Sequence, residues 1–166
     1  MTKNFSTQLS GQIGENLLVA ELGRRGIVAT TFSGNVPDID VLAYRNGKSI
    51  PIQVKALKKG SLSVNASHYL RIEFDRNIQI VKGKKQDIDR ELIFVIIILG
   101  EKLGDDKFYI CKQGFIQDII YKGHTSFLKK HNGIRPRQPL STHCAYKEKD
   151  LMAKRGDWEL IEKALK

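Results

Sequence analysis

The sequence predicts an α/β chain in which a mixed central β-sheet is flanked by helices. Three stretches carry that expectation: an early helix that is apolar almost all round, a β-hairpin pinned by Asn46-Gly47, and the unbroken apolar run Glu91–Leu99. A helix without a polar face needs cover on several sides, and a strand without alternation needs cover on both faces.

Taken in order, residues 6–24 read as the first helix, with Ser6 or Ser10 as cap and Gly23 or Gly26 as stop. At 100° per residue Leu9, Ile13, Leu17 and Ala20 share one side, and Leu18, Val19 and Leu22 the other. Glu15 lies amid the second set, as either a partnered interior charge, with Arg24 or Arg25 within reach, or a site residue. Gly11 and Gly14 each cost a helix about 0.8–1 kcal/mol relative to Ala, which implies close packing against that end. Ile27–Phe32 is a short β-branched strand, and a turn-rich connector leads from it into Pro37–Ala56.

Asn46-Gly47 suits a type I′ turn, which needs φ > 0 at both central residues. With those two as the loop, Arg45 faces Lys48, Asp40 faces Gln53 and Asp38 faces Lys55. Alternation along a strand then sends Asp38, Asp40, Gln53 and Lys55 to one face. Pro51 weakens this register, because it removes a ladder donor and marks an edge or a bulge. Beyond the hairpin, 58–87 is a basic stretch of mixed signal in which Leu62, Val64, Tyr69, Leu70, Ile72 and Phe74 dock on a core. Glu91–Leu99 reads as the central strand and Lys107–Lys112 as its antiparallel partner. Residues 113–130 have helical spacing with Gly123 as a candidate break. The loop after them carries a basic tip of Lys129, Lys130, Arg135 and Arg137, and a short helix follows around Glu148–Ala153. Asp157 is expected to cap a final helix with Trp158, Ile161 and Leu165 inward.

At 166 residues, 41% hydrophobic and 28% charged, the chain suits a single domain, with a motif core at about 10–112 and a helical extension at about 113–166. No apolar run reaches the roughly 18–20 residues that cross a bilayer, and the first residues lack the pattern of a signal peptide, so a cytoplasmic protein is expected. Cys111 and Cys144 are too few for a disulfide framework. The four histidines lack metal-ligand spacing and read as loop or surface residues. Lys and Arg number 28 against 18 Asp and Glu, a net charge of +10 and a pI near 9.6. Such an excess argues for polyanionic partners, nucleic acid before a membrane surface.

The residues Glu15, Pro37-Asp38-Ile39-Asp40 and Gln53-Val54-Lys55, with the order of elements around them, resemble the PD-(D/E)xK nuclease superfamily. Its Holliday-junction resolvases and its homing endonucleases are the most similar groups, the latter because Gln replaces the usual acid of the third motif. The resemblance implies a restriction-endonuclease-like core of αβββαβ order and a DNA endonuclease that hydrolyses phosphodiesters with a metal-activated water. It implies Mg²⁺ or Mn²⁺ held by Glu15, Asp40 and Gln53, with Asp40 as principal ligand and Asp38 as the alternative, and Lys55 beside the nucleophile. Gln53 is a neutral ligand, which makes the site one charge poorer than its family and keeps an inactive DNA-binding module as the second reading. Lys58, Lys59, Lys84, Lys85, Arg135 and Arg137 are the candidate backbone contacts, DNA the expected substrate with RNA open beside it, and a homodimer the expected assembly.

Overall fold

The computed structural model describes residues 3–32, 39–58, 60–102 and 104–166, with side chains of the first helix from Thr7 onward. The chain order is α1 (Lys3–Arg24), β1 (Val28–Thr31), β2 (Val41–Arg45), β3 (Lys48–Leu57), β4 (Ser61–Asn65), β5 (Leu70–Asp75), β6 (Ile78–Lys84), β7 (Ile93–Ile98), β8 (Lys107–Lys112), α2 (Gln113–Lys130), β9 (His143–Lys147), α3 (Glu148–Leu151) and α4 (Glu159–Ala164). Contacts divide it into two compact units. The first comprises Met1–Gly60, Leu92–Lys112 and Leu151–Lys166, the second Ser61–Glu91 and Gln113–Asp150. This interleaving differs from a core at 10–112 followed by an extension, because strands in 61–91 find their partners far along the chain.

The first unit holds a five-stranded mixed sheet in the order β1-β2-β3-β7-β8. Only β3 and β7 run parallel; the other pairs are antiparallel. β7 is not the middle strand, which is β3, but lies inside the sheet between β3 and β8, and it is buried on both faces up to Ile97, as its apolar run requires. Residues of α1 (Leu18, Leu22), β2 (Val41, Ala43), β3 (Ile52, Val54), β7 (Ile93, Val95, Ile97), β8 (Ile110) and α4 (Ile161, Leu165) form one core. Between β3 and β7 the chain runs through β4, β5 and β6 instead of the helix of an αβββαβ order. A parallel pair needs a long crossover, and here β-hairpin residues supply it.

The hairpin keeps its expected register, from Arg45↔Lys48 through Leu42↔Pro51 to Val41↔Ile52, with no bulge at Pro51. The reason lies in the edges of β3. Even-numbered residues turn their N–H toward β2, and Pro51 turns toward β7, whose ladder starts only at Ile52↔Ile93. The donor that proline lacks is therefore not called on. Gly14 meets β3 directly: a Cβ there would collide with the Ala56 Cβ and lie 3.6 Å from Val54 Cγ1. Asp157 does not cap the last helix. Trp158 is its N-cap without a side-chain bond, because the Asp157 carboxylate is 3.2 Å from Lys154 Nζ.

The second unit pairs β4 with β9 and β5 with β6, and α2 runs unbroken through Gly123. Its interior is tied by amides. Gln117 Nε2 donates to the carbonyls of Tyr69 and Lys85, each at 2.9 Å, while its Oε1 accepts from Arg90. Gln79 Nε2 donates to the carbonyls of Pro139 and Ser141 at 2.6 and 3.0 Å, and its Oε1 faces His124 Nε2 at 3.1 Å. The surface role expected for His124 is thus wrong. It continues the stripe Ile116, Ile120, Leu128 and is buried with them.

The two helix glycines test the packing of α1. Gly14→Ala should lower stability by about 1–2 kcal/mol, since overpacking against the rigid Ala56 methyl outweighs the gain in helix propensity. Gly11→Ala, with open space at its Cβ, should raise it by up to about 1 kcal/mol. Urea unfolding of both variants reads the difference.

Candidate active site

β2 begins at Val41 while β3 continues to Leu57. Past the last pair, Val41↔Ile52, the next N–H of β3 on that side belongs to Val54. The Asp40 carboxylate takes it: Val54 N donates to Asp40 Oδ2 at 2.7 Å. The backbone of Asp40 is held too, its N–H donating to Ile52 O at 3.0 Å and its carbonyl accepting from Phe32 N–H at 3.1 Å. Three hydrogen bonds fix this residue where β1, β2 and β3 meet. Asp40 thus turns into the ladder, and its Oδ1 makes no hydrogen bond among the described residues.

Gln53 and Lys55 flank Val54 and share the other face of β3 from Val54 by alternation. Gln53 is half-buried and Lys55 exposed. Glu15 follows Gly14 on α1, so the packing of that glycine on Ala56 sets it beside this part of β3. Its carboxyl is held above its ordinary value of 4.5, first by burial and then by the negative charge of Asp40, while Lys55 pulls it down. Asp40 and Lys55 therefore both lie within electrostatic range of Glu15. The salt-bridge alternative for Glu15 loses its partners, because Arg24 pairs with Glu21 at 2.8 Å and Arg25 with Glu162 at 3.8 Å. Glu15 makes no ion pair or hydrogen bond among the described residues.

Among the described residues no three of His, Cys, Asp and Glu gather as a metal-binding group. The oxygen donors that the fold brings to this end of β3 are the carboxylates of Asp40 and Glu15 and, on β3 next to Val54, the amide of Gln53. That set fits a hard cation, and the mutual repulsion felt by Glu15 is what a cation would relieve. Asp38 lies outside the described residues, as does Lys59. Lys58 is exposed in the first unit. Lys84 and Arg135 are engaged internally: Lys84 Nζ sits 2.7 Å from Asp118 Oδ1, and Arg135 donates to the His143 carbonyl. Lys85 is half-buried and Arg137 exposed.

No protein-family model matches the sequence, and no curated protein matches it. Among solved structures, the bacterial homing endonuclease I-Ssp6803I superposes on 95% of this chain and 94% of its own, with 18% identity and a TM-score of 0.50. The fold is restriction-endonuclease-like. At this identity the likeness is one of fold. No helix among the described residues is long and apolar enough to cross a membrane.

The raised Glu15 pKa sets a pH dependence. The folded state keeps this proton to higher pH than the unfolded state, so the stabilisation is full below the ordinary glutamate range and is lost as pH rises through the raised value. In metal-free buffer, Glu15→Gln should match wild type in Tm at acidic pH and exceed it near neutrality. Thermal melts across that range check it.

Proposed function

We propose that the chain is a divalent-metal-dependent DNA endonuclease whose site is Glu15, Asp40, Gln53 and Lys55. The observation that carries this is the Asp40 carboxylate fixed on Val54 N–H, between Gln53 and Lys55, with the Glu15 carboxyl under the influence of both charged groups. The likeness in fold to a homing endonuclease agrees with it. Glu15, Asp40 and Gln53 would hold the ion. Bound there, Mg²⁺ or Mn²⁺ supplies Lewis acidity toward water and phosphate.

The chain's own residues do the rest. Asp40 is oriented by three hydrogen bonds before any substrate arrives, so its charge is presented without reorganisation. Lys55, exposed and within electrostatic range of Glu15, would stabilise negative charge developing on phosphoryl oxygens. Glu15, half-buried and repelled by Asp40, gains most from a cation close by. Gln53 adds an oxygen without charge, which makes the ion weaker bound than at a site with a third acid. One such site per chain cuts one strand, so cutting both strands of a duplex calls for a homodimer.

A second reading, a nuclease-fold module that binds DNA without cutting it, is favoured by the same count of only two carboxylates near the site among the described residues. Plasmid nicking separates the two. Wild type with Mg²⁺ or Mn²⁺ should nick supercoiled DNA, EDTA should stop it, and Asp40→Asn and Lys55→Ala should each lower the rate at least about 100-fold. Folded wild type that leaves plasmid intact with both ions, yet binds it in EDTA, supports the second reading.

A further inference from the structure

The second unit contains a segment with a one-sided charge. From Ile119 to Lys147 there is no Asp or Glu, while Lys122, Lys129, Lys130, Arg135, Arg137 and Lys147 are basic. Lys122, Lys129, Lys130 and Arg137 make no ion pair among the described residues. Within this segment lies a cleft of about 750 Å³ between the second half of α2 and β9. Its floor is apolar, with Ile120 and Tyr146 buried there. Its walls carry Lys122 and Arg135, the latter fixed on the His143 carbonyl with its guanidinium 5.8 Å from the Phe127 ring centre. Phe127 lines the cleft and is 38% exposed, with one ring neighbour, His131, at 4.5 Å between ring centres. The one carboxylate on the rim, Asp150, already accepts the Lys147 N–H at 2.8 Å at the start of α3.

We propose that this cleft binds an unpaired nucleotide of DNA, with the base on the apolar floor against Phe127 and the neighbouring phosphates at Lys122 and Arg135. The site rests on the nuclease reading for its choice of polymer and adds to it a preference for single-stranded or unpaired substrate. Duplex phosphates can meet a basic surface, but only an unstacked base can enter a concave apolar cleft. The volume falls in the range of small-molecule sites. His124 also lines the cleft. Its Nε2 is 3.1 Å from Gln79 Oε1, which holds this buried ring in place as part of the lining. With Lys122 and Arg135 against the single carboxylate of Asp150, the lining is net positive and favours an anionic chain over a cationic one.

Fluorescence anisotropy of the full chain in EDTA, with labelled oligothymidylate and a duplex of equal length, tests this. Oligothymidylate should bind more tightly than the duplex. Phe127→Ala should weaken it at least about five-fold and leave the duplex less affected, while Phe127→Trp, which keeps an aromatic ring, should retain it. Lys122→Glu should weaken binding and flatten its salt dependence. Equal affinity for the two DNAs, or indifference to both substitutions, overturns the inference, as does polyglutamate competing as well as unlabelled oligothymidylate. Plasmid cleavage by a chain whose strand binding ignores both substitutions overturns this inference and leaves the nuclease reading. Strand binding as described, without cleavage under any divalent ion, overturns that reading alone.

Discussion

β3 is longer than its hairpin partner, and the bond from Val54 N–H to the Asp40 carboxylate occupies the place where β2 stops. A strand that must pair with β2 on one edge and β7 on the other has a donor to satisfy there. Meeting it with a carboxylate, worth roughly 1.5–3 kcal/mol for a charged acceptor, holds an anion at the junction of three strands. Everything proposed for the site follows from that placement. Gln53 and Lys55 are its neighbours on β3, and Glu15 reaches it from the helix above.

The helix is bound to the same strand by contact rather than by hydrogen bonds. Gly14 lets α1 lie on Ala56 and Val54, and Leu18 and Leu22 carry that contact on into the core. The next residue after Gly14 is Glu15, so the approach that buries the helix also buries part of a carboxylate. Its raised pKa is the electrostatic record of that burial and of the Asp40 charge. Packing and chemistry here share one cause.

The hairpin was legible because its turn is local: Asn46 and Gly47 have the positive φ their types favour, and the register then extends by counting. The strand β7 was legible from its unbroken apolar run, and α1 from its all-round apolarity. Asp40 was legible as a site candidate, but its turn into the ladder was not, since that depends on where β2 ends. The stretch 61–91 resisted reading because β4 pairs with β9 some eighty residues on, a distance no local pattern encodes. Gln79, Gln117 and His124 resisted for a related reason. Each is a polar side chain buried to satisfy groups remote in sequence, although the four-residue spacing of His124 from Ile120 and from Leu128 was a usable signal.

The proposed cation site at Asp40 has to form despite the neutral Gln53. Titration of the ¹⁵N-labelled chain with substoichiometric Mn²⁺ addresses it directly through paramagnetic broadening. The amide signals of Asp40, Gln53, Val54 and Lys55 should be lost first, together with those of α1 near Glu15, and added Mg²⁺ should restore them. Broadening that begins elsewhere, or that spreads evenly over surface carboxylates, would contradict the account.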